Sequence, residues 1–245
     1  MVNLKLTIAY EGTDFTGYQR QGQGERTVQG ELEKALQKLT GTTPKLIAAG
    51  RTDAGVHAKG QVVNFTTQAS IPITRWPAAL NSCLPTDLIV CQAEAVPLSF
   101  HARYGAKSKT YQYIVSRRRW PDLFLRRFSY HYPRSLQLEP LRTAAAFLVG
   151  EHDFKGFSAA GSSVVTTVRR LDRVEVAEQG EEIFFTLTGN GFLYKMVRNI
   201  VGTLLWIGEG KKEPRLVKAI LTEGDRRRAG PTAPPQGLTL LKVEY

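Results

Sequence analysis

The 245-residue sequence predicts an α+β protein made of two ferredoxin-like units, each with the order β-α-β-β-α-β and a mainly antiparallel sheet. Three observations predict it. Apolar and polar residues alternate in short runs such as 4–10 and 110–116, the period of a half-buried strand. Apolar residues recur at helical spacing in segments such as 27–39 and 138–148. Finally, strand and helix patterns follow one another in the same order in both halves, a repeat of element order and not of residue identity.

The first strand is expected at 4–10. Residues 27–39 place Val28, Leu32, Leu36 and Leu39 on one helical face, with Thr27 as N-cap and Gly41 as stop. Strands are expected at 45–49 and 61–67, then a short helix at 74–83 ended by Leu84-Pro85, and a strand at 88–96. The second half opens with a strand at 110–116 and a helix at 138–148 that stops at Gly150. Residues 165–177 and 181–188 read as a hairpin turning at Glu178-Gln179-Gly180. A strongly apolar helix carrying Lys195 and Arg198 is expected at 192–207, and a strand at 238–243 closes the pattern. These elements divide the chain into residues 1–104 and 105–245, with insertions at 117–135 and 211–236.

Composition is that of a soluble globular protein, without an apolar run long enough to span a membrane. The N-terminal residues read as a strand, not as a signal peptide, so the cytoplasm is the expected location. Two cysteines and four scattered histidines show no zinc spacing and give no support for a metal site. Charge is the informative quantity. The net charge is +11, and 23 of the 33 basic residues lie in 105–245 against 14 of the 22 acidic ones. The excess falls in clusters at 117–119, 126–127, 169–170 and 226–228, with tyrosine, tryptophan and phenylalanine around the first two. Arginine interleaved with aromatic rings suits phosphate contact and base stacking, although some clusters are expected to be plain solvated surface.

Gly50-Arg51-Thr52-Asp53-Ala54-Gly55-Val56-His57-Ala58 sets one carboxylate in a glycine-bounded turn between two strand patterns, with an arginine two residues earlier. Such an aspartate is displayed at the surface, and a nearby cation favours its ionised form. Further segments accompany it: Tyr10-Glu11-Gly12-Thr13-Asp14-Phe15-Thr16-Gly17-Tyr18-Gln19, Thr27-Val28-Gln29, Phe100-His101-Ala102-Arg103, Tyr111-Gln112-Tyr113, Gly150-Glu151-His152-Asp153-Phe154, Phe192 to Gly202, and Ala233-Pro234-Pro235-Gln236-Gly237-Leu238. In this order and spacing the chain resembles the tRNA pseudouridine synthase A family over nearly its full length.

The resemblance implies the pseudouridine synthase fold and isomerisation of uridine to pseudouridine at positions 38, 39 and 40 of the tRNA anticodon stem-loop, by a cytoplasmic homodimer that uses no cofactor. It implies Asp53 as the catalytic carboxylate, Tyr111 as the ring that stacks on the target base, and Arg198 as the partner of the aspartate. Arg51 and Leu238 match positions that line the pocket. The chain departs from the family pattern at Tyr18, where tryptophan is usual, and at Lys109, where arginine is usual.

The residue types agree with that chemistry. Isomerising uridine needs no redox group, and Gly208-Glu209-Gly210-Lys211-Lys212 lacks the spacing of a phosphate-binding P-loop. A carboxylate can trap the sugar cation, attack the base or abstract a sugar proton, and all three stay open. Of Tyr111 and Tyr113, alternating along one strand, one is expected to face the core. His57 is expected to hydrogen-bond within its turn, and His152 and Asp153 to order a loop or cap a helix. Two rival functions are a non-catalytic RNA-binding protein and a hydrolase, the latter wanting clustered or paired carboxylates.

Overall fold

Leu4, Leu6, Ile8 and Tyr10 all turn to the buried side of strand β1 (Val2–Tyr10), as the alternation requires. The computed structural model describes residues 1–22, 24–161 and 165–245. They group into two compact units, Met1–Lys107 with Leu240–Tyr245, and Ser108–Thr239.

In the first unit β1 lies between β3 (His57–Thr67) and β4 (Leu88–Val96), antiparallel to both, with Leu6 opposite Val63 and Ala93. The short β2 (Ile47–Ala48) pairs with β3, giving the order β4-β1-β3-β2 of a ferredoxin-like unit. Helix α1 (Val28–Thr40) begins where expected, because the Thr27 hydroxyl accepts the Gly30 amide at 3.2 Å, and stops at Gly41. It buries Val28, Leu32, Ala35 and Leu36.

The helix expected at 74–83 is split into a 3-10 turn, Ile73–Arg75, and α2 (Trp76–Asn81). Pro77 explains the break, since proline is tolerated only in the first turn of a helix. Asn81 then does the work of a missing strand. Its side chain donates to the Val90 carbonyl at 3.0 Å and accepts the Val90 amide at 2.8 Å, where β4 bulges against β1. Buried Asn3 and Asn64 form a similar bracket, binding each other and the backbone of Pro97, Phe100 and Ala102.

The second unit contains β5 (Ser108–Ser116), β6 (Tyr130–His131), α3 (Leu138–Ala146), β7 (Gly150–Asp153), β8 (Val168–Gln179), β9 (Glu182–Gly189), α4 (Met196–Gly208) and α5 (Leu216–Glu223). Its sheet runs β5-β9-β8-β7, antiparallel throughout, and β6 adds a short parallel pair at the end of β5. The expected α+β class with mainly antiparallel sheets is borne out; β6, β7 and α5 are additions to the predicted order. Helix α3 packs on α4 and β8, and Leu141, Ala144, Ile183, Phe185, Leu187, Ile200 and Leu204 are buried.

Several boundaries differ from expectation: β3 begins at His57, not at residue 61, and β8 at Val168, not at residue 165. The hairpin strands continue to Gln179 and Glu182, so the turn is the pair between them. Helix α4 starts at Met196, not at residue 192, because Lys195 stands in the left-handed region at φ 57°, alone among the described non-glycine residues. That conformation costs about 1–2 kcal/mol in an L-residue and interrupts any helix entering from Phe192. Strand β10 (Leu238–Glu244) begins in the second unit, but its residues from Leu240 onward belong to the first, alongside β3. There the Tyr245 hydroxyl donates to the Ala102 carbonyl at 2.8 Å.

Helix α4 is pressed against the segment before β10. A Cβ on Gly202 would lie 1.7 Å from the Pro231 carbonyl oxygen, a backbone atom that cannot rotate away. Gly202→Ala should therefore destabilise the protein by about 1–3 kcal/mol, as overpacking does, lowering the urea midpoint. An unchanged midpoint would show that the segment can yield.

Candidate active site

The loop that carries Asp53 is held from below by its neighbours. Thr52 is buried and its hydroxyl shares a 2.8 Å hydrogen bond with the Tyr10 hydroxyl. Burial pushes the Tyr10 phenol up to about 12, against the opposing effect of its hydrogen bonds to Thr52 and Gln61, so it stays protonated at neutral pH. Gln61 donates to the Gly50 carbonyl at 2.9 Å, and the Val56 amide closes the turn onto the Asp53 carbonyl at 3.2 Å. Asp53 itself is partly exposed.

A second loop, between β1 and α1, locks onto the first. Its Phe15 carbonyl accepts the Gly55 amide at 3.3 Å, and the Tyr18 amide donates to the Thr52 carbonyl at 3.0 Å. Residue 12 has to be glycine, because a Cβ there would sit 2.0 Å from the Val56 carbonyl oxygen. The Gly12 amide donates to Nδ1 of buried His57 at 2.9 Å, so this histidine bonds across to the second loop and not, as expected, within its own turn. The second loop is in turn anchored to α1 through Val28 to Gly17 and Gln29 to Tyr18, amide to carbonyl. Arg26 stacks over the Phe15 ring at 4.2 Å and forms two 2.7 Å bonds with Asp87. These bonds hold the Asp87 carboxyl below the usual carboxylate range, against partial burial.

Arg51 is exposed, while Thr52 beside it is buried. Thr52 turns inward to Tyr10, and Arg51 extends into solvent, where water competes with any ion pair.

Tyr111, Arg198 and Leu238 lie in the second unit. The expectation that only one of Tyr111 and Tyr113 faces the core is corrected: residues two apart share a face of a strand, and both rings are buried. The Tyr113 hydroxyl donates to the Pro234 carbonyl at 2.8 Å. Tyr111 instead meets the ring of Phe192 edge to face, with centroids 5.0 Å apart. Arg198, in the first turn of α4, is half-buried; its Nε donates to the Ala233 carbonyl at 2.7 Å and its own carbonyl accepts the Ala233 amide at 3.1 Å. The segment Ala233 to Leu238 thus ties β5 to α4 and delivers buried Leu238 as the first residue of β10.

The arginine clusters separate by function. Arg118 pairs with Glu182 at 2.8 Å, Arg170 with Asp172 at 2.8 Å, and Arg117 with Glu178. Arg227 holds Asp225, whose carboxyl is pulled down to about 2 chiefly by that hydrogen bond, and Arg228 pairs with Glu223. Arg226 points inward, donating to the Gly230 carbonyl and to Asn199, which also binds Thr232 and the Phe157 carbonyl. Arg126 and Arg127 are exposed, as are Phe124, Phe128 and Trp120 of the same insertion. Asp153 accepts the Lys155 amide at 2.9 Å, the loop-ordering role expected of it.

A family model described as tRNA pseudouridine synthase matches residues 6–105 and 144–245. The chain belongs to the tRNA pseudouridine synthase family. Among similar proteins, a tRNA pseudouridine synthase A of Moorella thermoacetica is 49% identical over 243 residues, 99% of each chain. One from Halalkalibacterium halodurans is 49% identical across 97% of this chain and 90% of its own. Another, from Anoxybacillus flavithermus, is 48% identical across 100% and 99%. The family match spans both the locked Asp53 loop and the segment binding Tyr113 and Arg198.

The Arg26–Asp87 pair offers a pH test. A carboxyl whose folded pKa is depressed stabilises the fold above its unfolded pKa and loses that contribution as pH falls through the folded value. The stability difference between wild type and Asp87→Asn should be constant at neutral pH and shrink below about pH 4. A difference that does not change with pH would assign the pair's effect to shape alone.

Proposed function

We propose that Asp53 is the essential carboxylate with which this protein converts uridine to pseudouridine at positions 38, 39 and 40 of the tRNA anticodon stem-loop. Membership of the tRNA pseudouridine synthase family makes the protein an isomerase acting on tRNA uridine. The observation that carries the assignment to Asp53 is a single, partly exposed carboxylate on a loop pinned on both sides, by Thr52 to Tyr10 and by Gly55 to Phe15.

The reaction breaks the N1–C1′ bond, turns the base and joins C5 to C1′; C5 loses a proton and N1 gains one. No electrons are exchanged and nothing leaves for good. A carboxylate assists by trapping the sugar cation, by attacking the base or by taking a sugar proton. Any of these demands that it be held still, because catalytic groups act only within a narrow geometry. Rigidity without burial is what the interlocked loops supply.

Tyr111 is proposed to stack on the base once it has left its helix, Arg198 to pair with the aspartate, and Arg51 and Leu238 to line the pocket. Extruding a base costs stacking energy, and an aromatic platform returns about 1–3 kcal/mol of it. On this reading the first unit brings the carboxylate and the basic second unit engages the RNA, the working enzyme is a cytoplasmic homodimer, and no cofactor takes part. Exposed Arg126 and Arg127, set among exposed rings, suit contact with the tRNA backbone.

Asp53→Asn should abolish pseudouridine formation in purified tRNA while changing tRNA affinity by less than about threefold, since affinity comes from many phosphate contacts. Turnover near the wild-type rate would refute the assignment. Tyr111→Leu should weaken capture of the base by about 5- to 150-fold, the equivalent of its stacking energy, whereas Tyr111→Phe should keep capture and slow completion if the hydroxyl moves a proton. Equal rates for the Phe and Leu variants would refute stacking, and wild-type single-turnover rates for Phe would refute the proton role.

A further inference from the structure

Arg169 differs from most of the clustered arginines of the second unit in being half-buried with no carboxylate beside it among the described residues. Arg117, Arg118, Arg170, Arg227 and Arg228 each have a carboxylate partner, and inward-pointing Arg226 is met by carbonyls, Asn199 and Thr232. Arg169 is half-buried, yet among the described residues no carboxylate lies within ion-pair distance of it. One guanidinium nitrogen is fixed, NH1 donating to the carbonyls of Thr166 at 2.8 Å and Val168 at 2.6 Å. The opposite edge, Nε with NH2, meets no acceptor among the described residues. Burial lowers the pKa of this group with no neighbouring acid to restore it. Holding a guanidinium out of water without a counter-charge is unfavourable, and an anion bound at its Nε and NH2 edge relieves that cost.

The position of that edge indicates the anion. Gly191 packs along the Arg169 stem, the position of a Cβ there lying 3.4 Å from Cδ and from Nε, an ordinary van der Waals contact. The next residue, Phe192, presents its ring to Tyr111 at 5.0 Å. Arg169 and the Tyr111 ring are therefore linked through two consecutive residues of one loop. In a nucleotide, base and phosphate are joined through a single sugar, so a ring that stacks the base and a cation that holds its phosphate have to be close neighbours. The Nε and NH2 edge also has the two-point geometry that suits a phosphate's oxygens.

We propose that the Nε and NH2 edge of Arg169 binds a backbone phosphate flanking the target uridine, fixing the extruded nucleotide while Tyr111 holds its base. The inference rests on the reading of Tyr111 as the base platform. Two neutral or cationic substitutions, Arg169→Gln and Arg169→Lys, and tRNAs carrying a single methylphosphonate at each linkage around the target uridine, test it together. Removing one phosphate charge should reduce kcat/KM of the wild-type protein about 10- to 100-fold at one linkage, the scale of a hydrogen bond to a charged group. Arg169→Gln should lose a similar factor on native tRNA and be indifferent to that linkage, and Arg169→Lys should recover part of the loss.

A wild-type protein indifferent to every flanking methylphosphonate would overturn the proposal, and that arm needs no altered protein. So would an Arg169→Gln variant, folded by its urea midpoint, that still loses the full factor at the sensitive linkage. Failure of the Tyr111 reading shows separately, as wild-type rates for Tyr111→Leu with the coupling between Arg169 and the linkage intact.

Discussion

A backbone carbonyl fills the space where residue 12 has no side chain, and the presentation of Asp53 depends on that contact. Val56 and Gly12 bring two loops to a separation that any Cβ would prevent. At that separation the amides of Gly12, Tyr18 and Gly55 all find acceptors across the gap, on His57, Thr52 and Phe15. A surface loop normally satisfies its amides with water and moves accordingly. Here the polar groups of one loop are satisfied by the other, which removes the usual reason for a loop to be mobile while leaving the carboxylate reachable.

The second unit solves a comparable problem by different means. Helix α4 is almost wholly buried, yet it carries Asn199 and Thr203 in its interior. Both are matched by the chain that passes over the helix: Asn199 by Thr232 and Arg226, and Thr203 by the Gly230 amide at 2.8 Å. Buried polar groups that are fully paired specify one arrangement, because any slip leaves donors without acceptors. The segment leading to Leu238 is thereby held in register with the first turn of α4, where Arg198 grips Ala233. Arg198 is thus a half-buried cation with one guanidinium nitrogen tied to backbone.

Much of this was legible in the sequence where physics is local. Alternation marked β1 and β5, and Thr27 and Gly41 marked the ends of α1, because strand period and caps are properties of neighbouring residues. Pro77 is as local a signal, since proline belongs in the first turn of a helix and so places the start of α2 at Trp76. The start of α4 was misplaced since nothing local announces that Lys195 adopts a left-handed backbone. Arginine clusters could be seen but not sorted: whether Arg226 faces solvent or Asn199 is decided by residues far along the chain. The same holds for Arg51, whose exposure its neighbours in sequence do not announce, and for Gly12, whose motif was plain although the carbonyl that demands it was not.

The path of β10 has a consequence for how the chain is made. Strand β3 receives its neighbour Leu240–Glu244 only after the whole second unit has been synthesised. During translation the first unit emerges with its helices and most of its sheet in hand, but with part of one edge of β3 uncovered, and open edges invite pairing with other chains. Tyr245, reaching Ala102 and packing on Phe100, is the last latch on that edge. A nascent chain halted before these residues therefore carries the Asp53 loop on a scaffold that is not yet sealed, so the earliest-made unit is closed only by residues made after the second.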